Sequence, residues 1–358
     1  MESITDIKWD SLIETILDKK CILFLGPGVT VNYAQNQNIE TAYKSMTGDK
    51  DFIMHHLKDN LLIFKNFDQI VDCRHDVKKF YKNDFTNPLL EKLAEIPFHL
   101  IISVTPDHTL HTIFEQKKFL FQHNYFSKTN KKNIEYDPRQ IPLIYNLFGD
   151  VSEETSLIFS HYHLFEYLEW GWVNNSLPET IRTVFNKEQT SNIIFLGFEF
   201  DKWYYQLILY LFKLNFEGCR RYAIEQLSNE NEMLTLCETN FRINFFQNSA
   251  QLFVDNLYEH LPAENRRKPM SENEKPKKWL KPPFVKFLNA AFGQDEWTTF
   301  CMCYYEEVYD NFATGQTRMA QIGLLIDHVT KKELFADLFE NCKEHNPVQF
   351  EKFAPYYE

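Results

Sequence analysis

Short apolar runs alternate with amphipathic segments along the first 260 residues of the chain. The run at 21–25 reads Cys-Ile-Leu-Phe-Leu, and similar runs lie at 98–104, 143–148, 156–160, 192–197 and 243–246. Such runs are typical of strands buried on both faces of a parallel sheet. Segments with apolar residues at helical spacing lie around them, at 9–19, 67–81, 88–94, 177–185, 202–212 and 250–260. This alternation predicts an α/β fold, a Rossmann-like doubly wound parallel sheet.

The pattern changes at residue 263. The stretch 263–282 is rich in Pro, Lys, Asn and Glu and has no periodicity, which indicates a linker. Beyond it the spacing is helical throughout, at 284–291, 296–309, 318–328, 331–341 and 347–353. Short turns between these segments favour a small all-α helical bundle. The predicted parts are therefore an α/β domain at 1–262, a linker at 263–282 and a helical domain at 283–358.

Charge and hydropathy exclude several kinds of partner. The formal net charge of −12 argues against nonspecific binding to nucleic-acid backbones. No apolar run approaches the length that spans a bilayer, and the first residues lack the basic and apolar regions of a signal peptide. We therefore expect a cytoplasmic protein with no nucleic-acid and no membrane partner.

The cysteine pattern bears on redox state and metal content. The seven cysteines are an odd number without regular spacing, which suits reduced thiols. No Cys-x-x-Cys pair occurs, and such pairs hold structural zinc ribbons. We therefore expect no metal.

The first candidate for chemistry is the loop Gly26-Pro27-Gly28-Val29-Thr30, which follows the first apolar run. Glycines let a backbone approach a phosphate, and a following helix offers free N–H groups. Thr30 adds a hydroxyl. The loop departs from the full Gly-x-Gly-x-x-Gly spacing, so a structural tight turn explains it equally well.

Polar residues follow three more of the predicted strands. Thr105, Asp107 and His108 come after the second run and Gly149-Asp150 after the third. Gly197 ends the run at 192–197, and Glu199 follows two residues later. The carboxyl ends of parallel strands meet at one edge of a sheet, where open α/β proteins bind ligands. We expect these residues to line one site, although Asp107 is placed equally well to cap a helix.

The order of the four segments resembles the sirtuin-like domains of bacterial immune effectors, over roughly residues 10–260. That family has a Gly-Ala-Gly-x-Ser loop, a Thr-Asn-Tyr-Asp or Gln-Asn-x-Asp segment, a Leu-His-Gly-Asp segment and a late Gly. The loop at 26–30, Asp107, Gly149-Asp150 and Gly197 match these motifs in turn. The resemblance implies binding of NAD or a related nucleotide. The implied binding residues are Gly26, Pro27, Gly28, Thr30, Gly149, Asp150, Gly197 and Glu199.

Two substitutions leave the activity open. Thr105 stands where the family has its catalytic Asn, and Phe148 where it has its catalytic His, which would serve as a general base. One interpretation is a degenerate domain that binds the nucleotide. A second is an active NAD glycohydrolase that uses Thr105, Asp107 and His108, and a third is a scaffold for oligomerisation. For the pairs His108/His111 and His161/His163, a structural role is favoured over a catalytic or metal-binding one.

The helical part resembles the effector-associated domains, small death-fold-like adaptors of bacterial conflict systems. The resemblance rests on a Phe–acid–Trp opening, a Tyr-Glu-Glu-Val-Tyr-Asp helix and a closing Asn-Pro, and it covers nearly all of 283–358. It implies pairing with a like domain on another protein, and we also expect a homo-oligomer. The acidic residues Glu306, Glu307 and Asp310 form either a docking face for a basic surface or a plain solvated face.

Overall fold

The chain divides into two units, Met1–Met270 and Ser271–Glu358. The computed structural model describes residues 4–30, 53–56, 61–83, 85–128, 134, 136–174, 178–186, 188–198, 200, 202–212, 216–225, 232–270, 281–313, 315–332 and 334–353. Within these residues no helix is both long and apolar enough to cross a bilayer.

Strands and helices alternate through the first unit. Its described strands are β1 (Cys21–Leu25), β2 (Ile53–His56), β3 (Leu61–Phe64), β4 (Leu100–Ser103), β5 (Gln122–Tyr125), β6 (Leu143–Asn146), β7 (Asn192–Leu196), β8 (Arg220–Glu225) and β9 (Ile243–Gln247). Its described α-helices are α1 (Trp9–Leu17), α2 (Asp68–Tyr81), α3 (Pro88–Glu95), α4 (Thr109–Gln116), α5 (His161–Asn174), α6 (Glu179–Val184), α7 (Trp203–Leu211), α8 (Glu232–Phe241) and α9 (Ala250–His260).

Seven of these strands form one parallel sheet in the order β5-β6-β4-β1-β7-β8-β9. From β1 the chain moves to β4 on one side, and it later crosses to β7 on the other side. The reversal at β1 is the topological switch point of a doubly wound fold, where ligands bind outside the carboxyl ends of the strands. The predicted fold class is confirmed.

Both faces of the sheet are covered by helices, and this explains why its strands are apolar throughout. Side chains alternate between the faces of a strand. In β1, Ile22 and Phe24 join the core beneath α5, α6, α7 and α8, whereas Leu23 and Leu25 join the core beneath α1, α3, α4 and α9. Each face is therefore a separate hydrophobic core, and a polar residue in the centre of β1 would be buried on either side.

The prediction of a strand at 156–160 is wrong, because these residues do not form one. Glu154–Ser156 forms a 3₁₀ turn, and Ser160 makes only an isolated bridge to Leu62. The apolar residues of this stretch, Leu157 and Phe159, are buried in a small core with α2 and β3 instead. Their burial in a loop against a helix produces the same apolar pattern as burial in a strand.

The search for continuous apolar runs misses two strands of the main sheet, because these strands contain polar residues. The edge strand β5 reads Gln-His-Asn-Tyr. Strand β8 begins Arg-Arg, and Arg221 is only 1% exposed. Its guanidinium donates hydrogen bonds to the carbonyl oxygens of Cys219 at 3.0 Å and Phe216 at 2.7 Å, which compensates for its burial.

The first unit extends eight residues past the predicted boundary at 262, into the predicted linker at 263–282. Arg267 holds this extension. Its guanidinium donates to the carbonyl oxygens of Ala94, Ile96 and Phe98 at 3.0, 3.3 and 2.8 Å, and it lies over the ring of Phe114. These carbonyls lie at and just beyond the end of α3, where a cation stabilises the helix dipole.

The described part of the second unit is helical, as predicted. Its helices are α10 (Lys281–Ala291), α11 (Gln294–Tyr304), α12 (Glu306–Tyr309), α13 (Arg318–Lys332), α14 (Phe335–His345) and α15 (Pro347–Phe353). The helix predicted at 296–309 breaks at Tyr305, whose φ is −142°. Trp297 is fully buried in the core, and Arg318 donates to the carbonyls of Leu288 and Phe292 at the end of α10. The bundle is therefore well packed by itself.

Candidate functional site

The glycine loop after β1 is a closed turn. The amide of Gly26 donates to Leu196 O at 2.8 Å, and that of Gly28 donates to Gly197 O at 3.0 Å. The amides of Val29 and Thr30 donate within the loop, at 3.4 and 3.2 Å, and Pro27 has no N–H. Every amide of the loop has a partner within the chain. The structural-turn interpretation therefore accounts for the geometry, and none of these amides is directed at a phosphate.

The loop is also fixed from its two sides. Gly197 follows β7 with φ of +65°, a left-handed conformation that favours glycine. On the other side Asn87 Nδ2 donates to Val29 O at 3.1 Å, while Asn87 Oδ1 caps α3 by accepting from Leu90 N. Thr30 is 3% exposed. The predicted residues Gly26, Gly28 and Gly197 therefore lie together, as backbone-to-backbone packing. Glu199 lies outside the described residues.

The segment after β4 has a polar side chain with an unfilled hydrogen-bonding atom. Asp107 Oδ1 caps α4 by accepting from Thr109 N at 2.9 Å, so the capping interpretation holds for that oxygen. The other oxygen, Oδ2, is buried and has no hydrogen-bond partner among the described residues. The Thr109 hydroxyl is also buried and has no hydrogen-bond partner among the described residues. The Thr105 hydroxyl, by contrast, lies within hydrogen-bond distance of Ser103 Oγ, at 2.9 Å. Buried polar atoms of this kind call for an explanation such as a bound ligand or water.

Asp150 is the centre of the polar site. Its carboxylate is 0% exposed, and its oxygens lie 2.8 and 2.9 Å from Nε2 of His108. Ser152 donates to Oδ1 from its hydroxyl at 2.5 Å and from its amide at 2.8 Å. His123 Nε2 lies 3.3 Å from Oδ2, on β5. One buried carboxylate thus joins groups from three separate segments of the chain.

Three residues, Gly149, Ser156 and Asn146, hold Asp150 in this place. Gly149 has φ of +88°, and a β-carbon there would lie 2.1 Å from Ser156 O, so only glycine fits the turn. The Asp150 amide donates a hydrogen bond to Ser156 Oγ at 2.9 Å. At the end of β6, Asn146 Nδ2 donates to Asp107 O at 3.2 Å and reaches Asp150 Oδ2 at 3.5 Å. The predicted residues Asp107, His108, Gly149 and Asp150 therefore do converge.

Burial and hydrogen bonding shift the pKa values of Asp150 and His108. Burial acts to raise the pKa of Asp150, but the hydrogen bonds from His108 and Ser152 outweigh it and the pKa lies below its usual value. The bond to Asp150 raises the pKa of His108. Burial lowers the pKa of the neighbouring His111. Asp150 is therefore a buried anion that attracts a cation.

A cleft of about 450 Å³ opens beside this site. Its wall comes from the end of α2, the start of α4 and the turn after β6. The lining residues are Tyr81, Lys82, Asn83, His108, Thr109, Thr112, Val151 and Ser152. The cleft lies at the carboxyl ends of β4 and β6, beside the switch point at β1. Hydroxyl, ammonium and imidazole groups on one wall suit a polar, anionic ligand.

Other residues that the sequence singled out are packed in the core. Phe148 is 6% exposed and its ring centroid lies 5.9 Å from those of Tyr167 and Tyr204. His161 and His163 lie in the first turn of α5 rather than on a strand, so they do not share a face. Burial lowers the pKa of His163 to about 4. These side chains support the fold.

Sequence reasoning missed three members of the site. His123 lies in the polar edge strand β5, Asn146 ends β6, and Ser152 follows Asp150 by two residues. Neither a hydrophobic periodicity nor a sequence motif marks His123, because it lies on a different segment from the other residues of the site. The spacing Asp-x-Ser at 150–152 is the one signal that was available, since a short polar side chain two residues after an Asp often bonds to it.

Comparison with known proteins identifies one part of the chain. Residues 284–347 match the family model described as Effector-associated domain 7, and the predicted resemblance of the helical part is confirmed. A solved structure described as "Structural Basis for the Mechanism and Regulation of Sir2 Enzymes" is 10% identical. That match covers 71% of this chain and 96% of the other, at a TM-score of 0.33, which is too low to bear on fold or chemistry. No curated protein matches the chain.

Proposed function

We propose that the protein is a component of a prokaryotic conflict system, in which the α/β unit binds NAD or a related nucleotide and the helical unit recruits a partner. The recruiting role is supported by the match of residues 284–347 to an effector-associated domain. The nucleotide role is supported by the doubly wound sheet and by the polar cleft at the carboxyl ends of β4 and β6. We expect the partner to carry a like domain.

The observation that carries the nucleotide role is the buried hydroxyl of Thr109. It lines the cleft, is part of a residue only 4% exposed, and has no hydrogen-bond partner among the described residues. Leaving such a group unpaired costs about 1–3 kcal/mol, so the site favours a ligand that supplies the missing bond. Lys82 and Thr112 line the same cleft and suit the phosphates of a nucleotide, because ammonium and hydroxyl groups both donate to phosphate oxygens.

The phosphate donors in this proposal differ from those that the sequence suggested. The amides at 26–30 are occupied by carbonyl oxygens of the chain. The nucleotide would instead lie one strand away, above β4 and β6, with Gly26, Gly28 and Gly197 forming a packed turn at the switch point. Gly149 and Asp150 would border it, since the turn they form leads into Val151 and Ser152 of the cleft wall.

Calorimetry on the full chain tests the proposal with NAD, ADP-ribose and ATP. We expect binding of at least one of the three and an affinity about tenfold lower for Thr109→Val, which keeps the shape and removes the hydroxyl. Thr183→Val is the matched control, because Thr183 is exposed on α6. No heat from any ligand at millimolar concentration would remove the nucleotide role and leave the scaffold interpretation.

An active NAD glycohydrolase is the second candidate. The observation that favours it is the presence of an imidazole on the wall of the cleft: His108 is held by Asp150 and its side chain is 35% exposed. Release of free nicotinamide from NAD by the full chain, with and without a second protein that carries an effector-associated domain, distinguishes turnover from binding. We expect His108→Gln to abolish any turnover, and unchanged turnover in that variant would exclude this candidate.

The proposed recruitment of a partner by the helical unit can be tested separately. The carboxylates of Glu306, Glu307 and Asp310 lie on the short helix α12 or directly after it, and Glu307 pairs with Lys332 at 2.6 Å. We expect Glu306→Lys with Asp310→Lys to weaken binding of a protein that carries a domain of the same family, because both side chains are exposed. Unchanged binding in the double variant would show that this acidic face is simply solvated.

A further inference from the structure

Three potential metal ligands converge beside the cleft. The ligand atoms of His108, His123 and Asp150 all lie within 4.8 Å of one another. Asp150 Oδ2 lies 2.9 Å from His108 Nε2 and 3.3 Å from His123 Nε2. An ion that binds nitrogen and oxygen donors at 2.0–2.2 Å holds them about 3.0–3.6 Å apart, with the longer separations in tetrahedral geometry. The donors are therefore close to the spacing of a single coordination sphere.

We propose that His108, His123 and Asp150 form a binding site for a divalent transition-metal ion. Two imidazoles and one carboxylate suit zinc or iron rather than magnesium or calcium, which prefer oxygen donors alone. No spacing in the sequence marks this site, because the three residues lie on separate segments: the N-cap of α4, strand β5 and the turn after β6. Only the pairing of β5 with β6 and of β6 with β4 brings them together.

The surroundings of Asp150 support a metal ligand. Bound metals are held by carboxylates that are themselves oriented by hydrogen bonds. The hydroxyl and amide of Ser152 fix Oδ1, and Asn146 Nδ2 approaches Oδ2. A fully buried carboxylate normally requires a cationic partner. His108 and His123 both face this anion, so neutral imidazoles and one divalent ion would satisfy all three groups.

The proposed metal site would have an open coordination position. Three protein ligands leave a coordination position for water, which distinguishes catalytic zinc sites from structural ones. His108 and Ser152 also line the 450 Å³ cleft, so the ion would border the space proposed for the nucleotide. A third imidazole, that of His111, has its ring centroid 5.2 Å from that of His108 and 5.1 Å from that of His123. Its Nδ1 faces Glu115 at 3.5 Å, which places it in the wall rather than among the ligands.

Titration of the full chain with Zn²⁺ tests this inference, whether or not the cleft binds a nucleotide. The exposed thiol of Cys303 is first removed by Cys303→Ser, so that it does not bind zinc. We expect one equivalent of zinc in this background and in the additional variant His111→Gln. The double variant His108→Gln, His123→Gln is expected to lose that equivalent, and Ser152→Ala to bind about tenfold more weakly.

A second measurement decides the matter if the ligand variants fail to fold. Co²⁺ bound to nitrogen and oxygen ligands in a low-coordinate site absorbs visible light far more strongly than hydrated Co²⁺. We expect such a spectrum from the Cys303→Ser protein, and its loss on addition of Zn²⁺. Absence of zinc uptake together with the spectrum of hydrated cobalt would overturn the assignment, as would a folded ligand double variant that still binds one equivalent.

Discussion

Gly26 packs so closely against Gly197 that a β-carbon on Gly26 would lie 2.0 Å from the Gly197 carbonyl oxygen. A β-carbon on Gly197 would in turn lie 2.6 Å from the amide nitrogen of Val29. Both atoms belong to the backbone and have no side-chain torsion by which to move away. The carboxyl ends of β1 and β7 therefore require glycine on both strands, and this contact joins the two halves of the sheet at its switch point.

We expect Gly26→Ala and Gly197→Ala each to reduce the free energy of unfolding of the α/β unit by about 3 kcal/mol or more, because the backbone must shift to admit a methyl group. Gly323→Ala is the control. Gly323 lies exposed on α13 with nothing within 4 Å of its β-position, so alanine there is expected to stabilise by about 1 kcal/mol. Urea denaturation of the three variants provides the comparison, and equal stability of Gly26→Ala and the parent would contradict the contact.

His99 is expected to make the stability depend on pH. It is 1% exposed, and neither ring nitrogen has a hydrogen-bond partner within the described residues. Burial lowers its pKa to about 3, with a further contribution from the charges of Arg139 and Lys19. The unfolded chain, with a histidine pKa of about 6.5, takes up the proton first as the pH falls. Stability is therefore complete above about pH 6.5 and is lost progressively between 6.5 and 3.

The variant His99→Phe tests this dependence. We expect the slope of unfolding free energy between pH 6.5 and 5 to fall by up to about 1.4 kcal/mol per pH unit, because one titrating group is removed. His163, whose pKa burial lowers to about 4, continues to titrate in the variant and contributes to the remaining slope. His260→Gln is the exposed control. An unchanged slope in His99→Phe would show that His99 is protonated in the folded state.

Arg267 is expected to hold the segment 263–270 on the α/β unit. Removing its guanidinium leaves the carbonyl oxygens of Ala94, Ile96 and Phe98 without this charged donor. We expect Arg267→Ala to cost about 2–3 kcal/mol and to expose the bond after Arg266 to trypsin. Arg182→Ala, on the exposed face of α6, is expected to change stability by less than about 0.5 kcal/mol. Identical cleavage of both variants would indicate that the segment is held by other contacts.

Phe148 is expected to resist replacement by the imidazole that the resembling family carries. Its ring packs among Tyr167, Tyr204 and Tyr205, in a core that offers no solvent to a charged group. We expect Phe148→His to destabilise by about 2–4 kcal/mol, more so at pH 5 than at pH 8, and to release no additional nicotinamide from NAD. Phe148→Leu is the control, since it loses packing without adding a polar group. Nicotinamide release that rises in Phe148→His would show that the cleft extends to this position.

The sequence by itself determined the layers of the protein. The continuous apolar runs at 21–25 and 192–197 required burial on both faces, and helical spacing on either side supplied the covering layers, so a doubly wound sheet was predictable. The helical pattern after residue 283 predicted the second unit in the same way. These predictions succeed because burial imposes a local period on the chain.

Only the tertiary structure decided which polar groups meet. Asp150 and His108 could be placed at strand ends, but His123 joins them because β5 lies at the edge of the sheet beside β6. Likewise Gly26 and Gly28 read as part of an anion loop along the chain, whereas their amides donate to the carbonyl oxygens of Leu196 and Gly197. Such pairings depend on strand order and register, and these are set by contacts distant in sequence that leave no period in it.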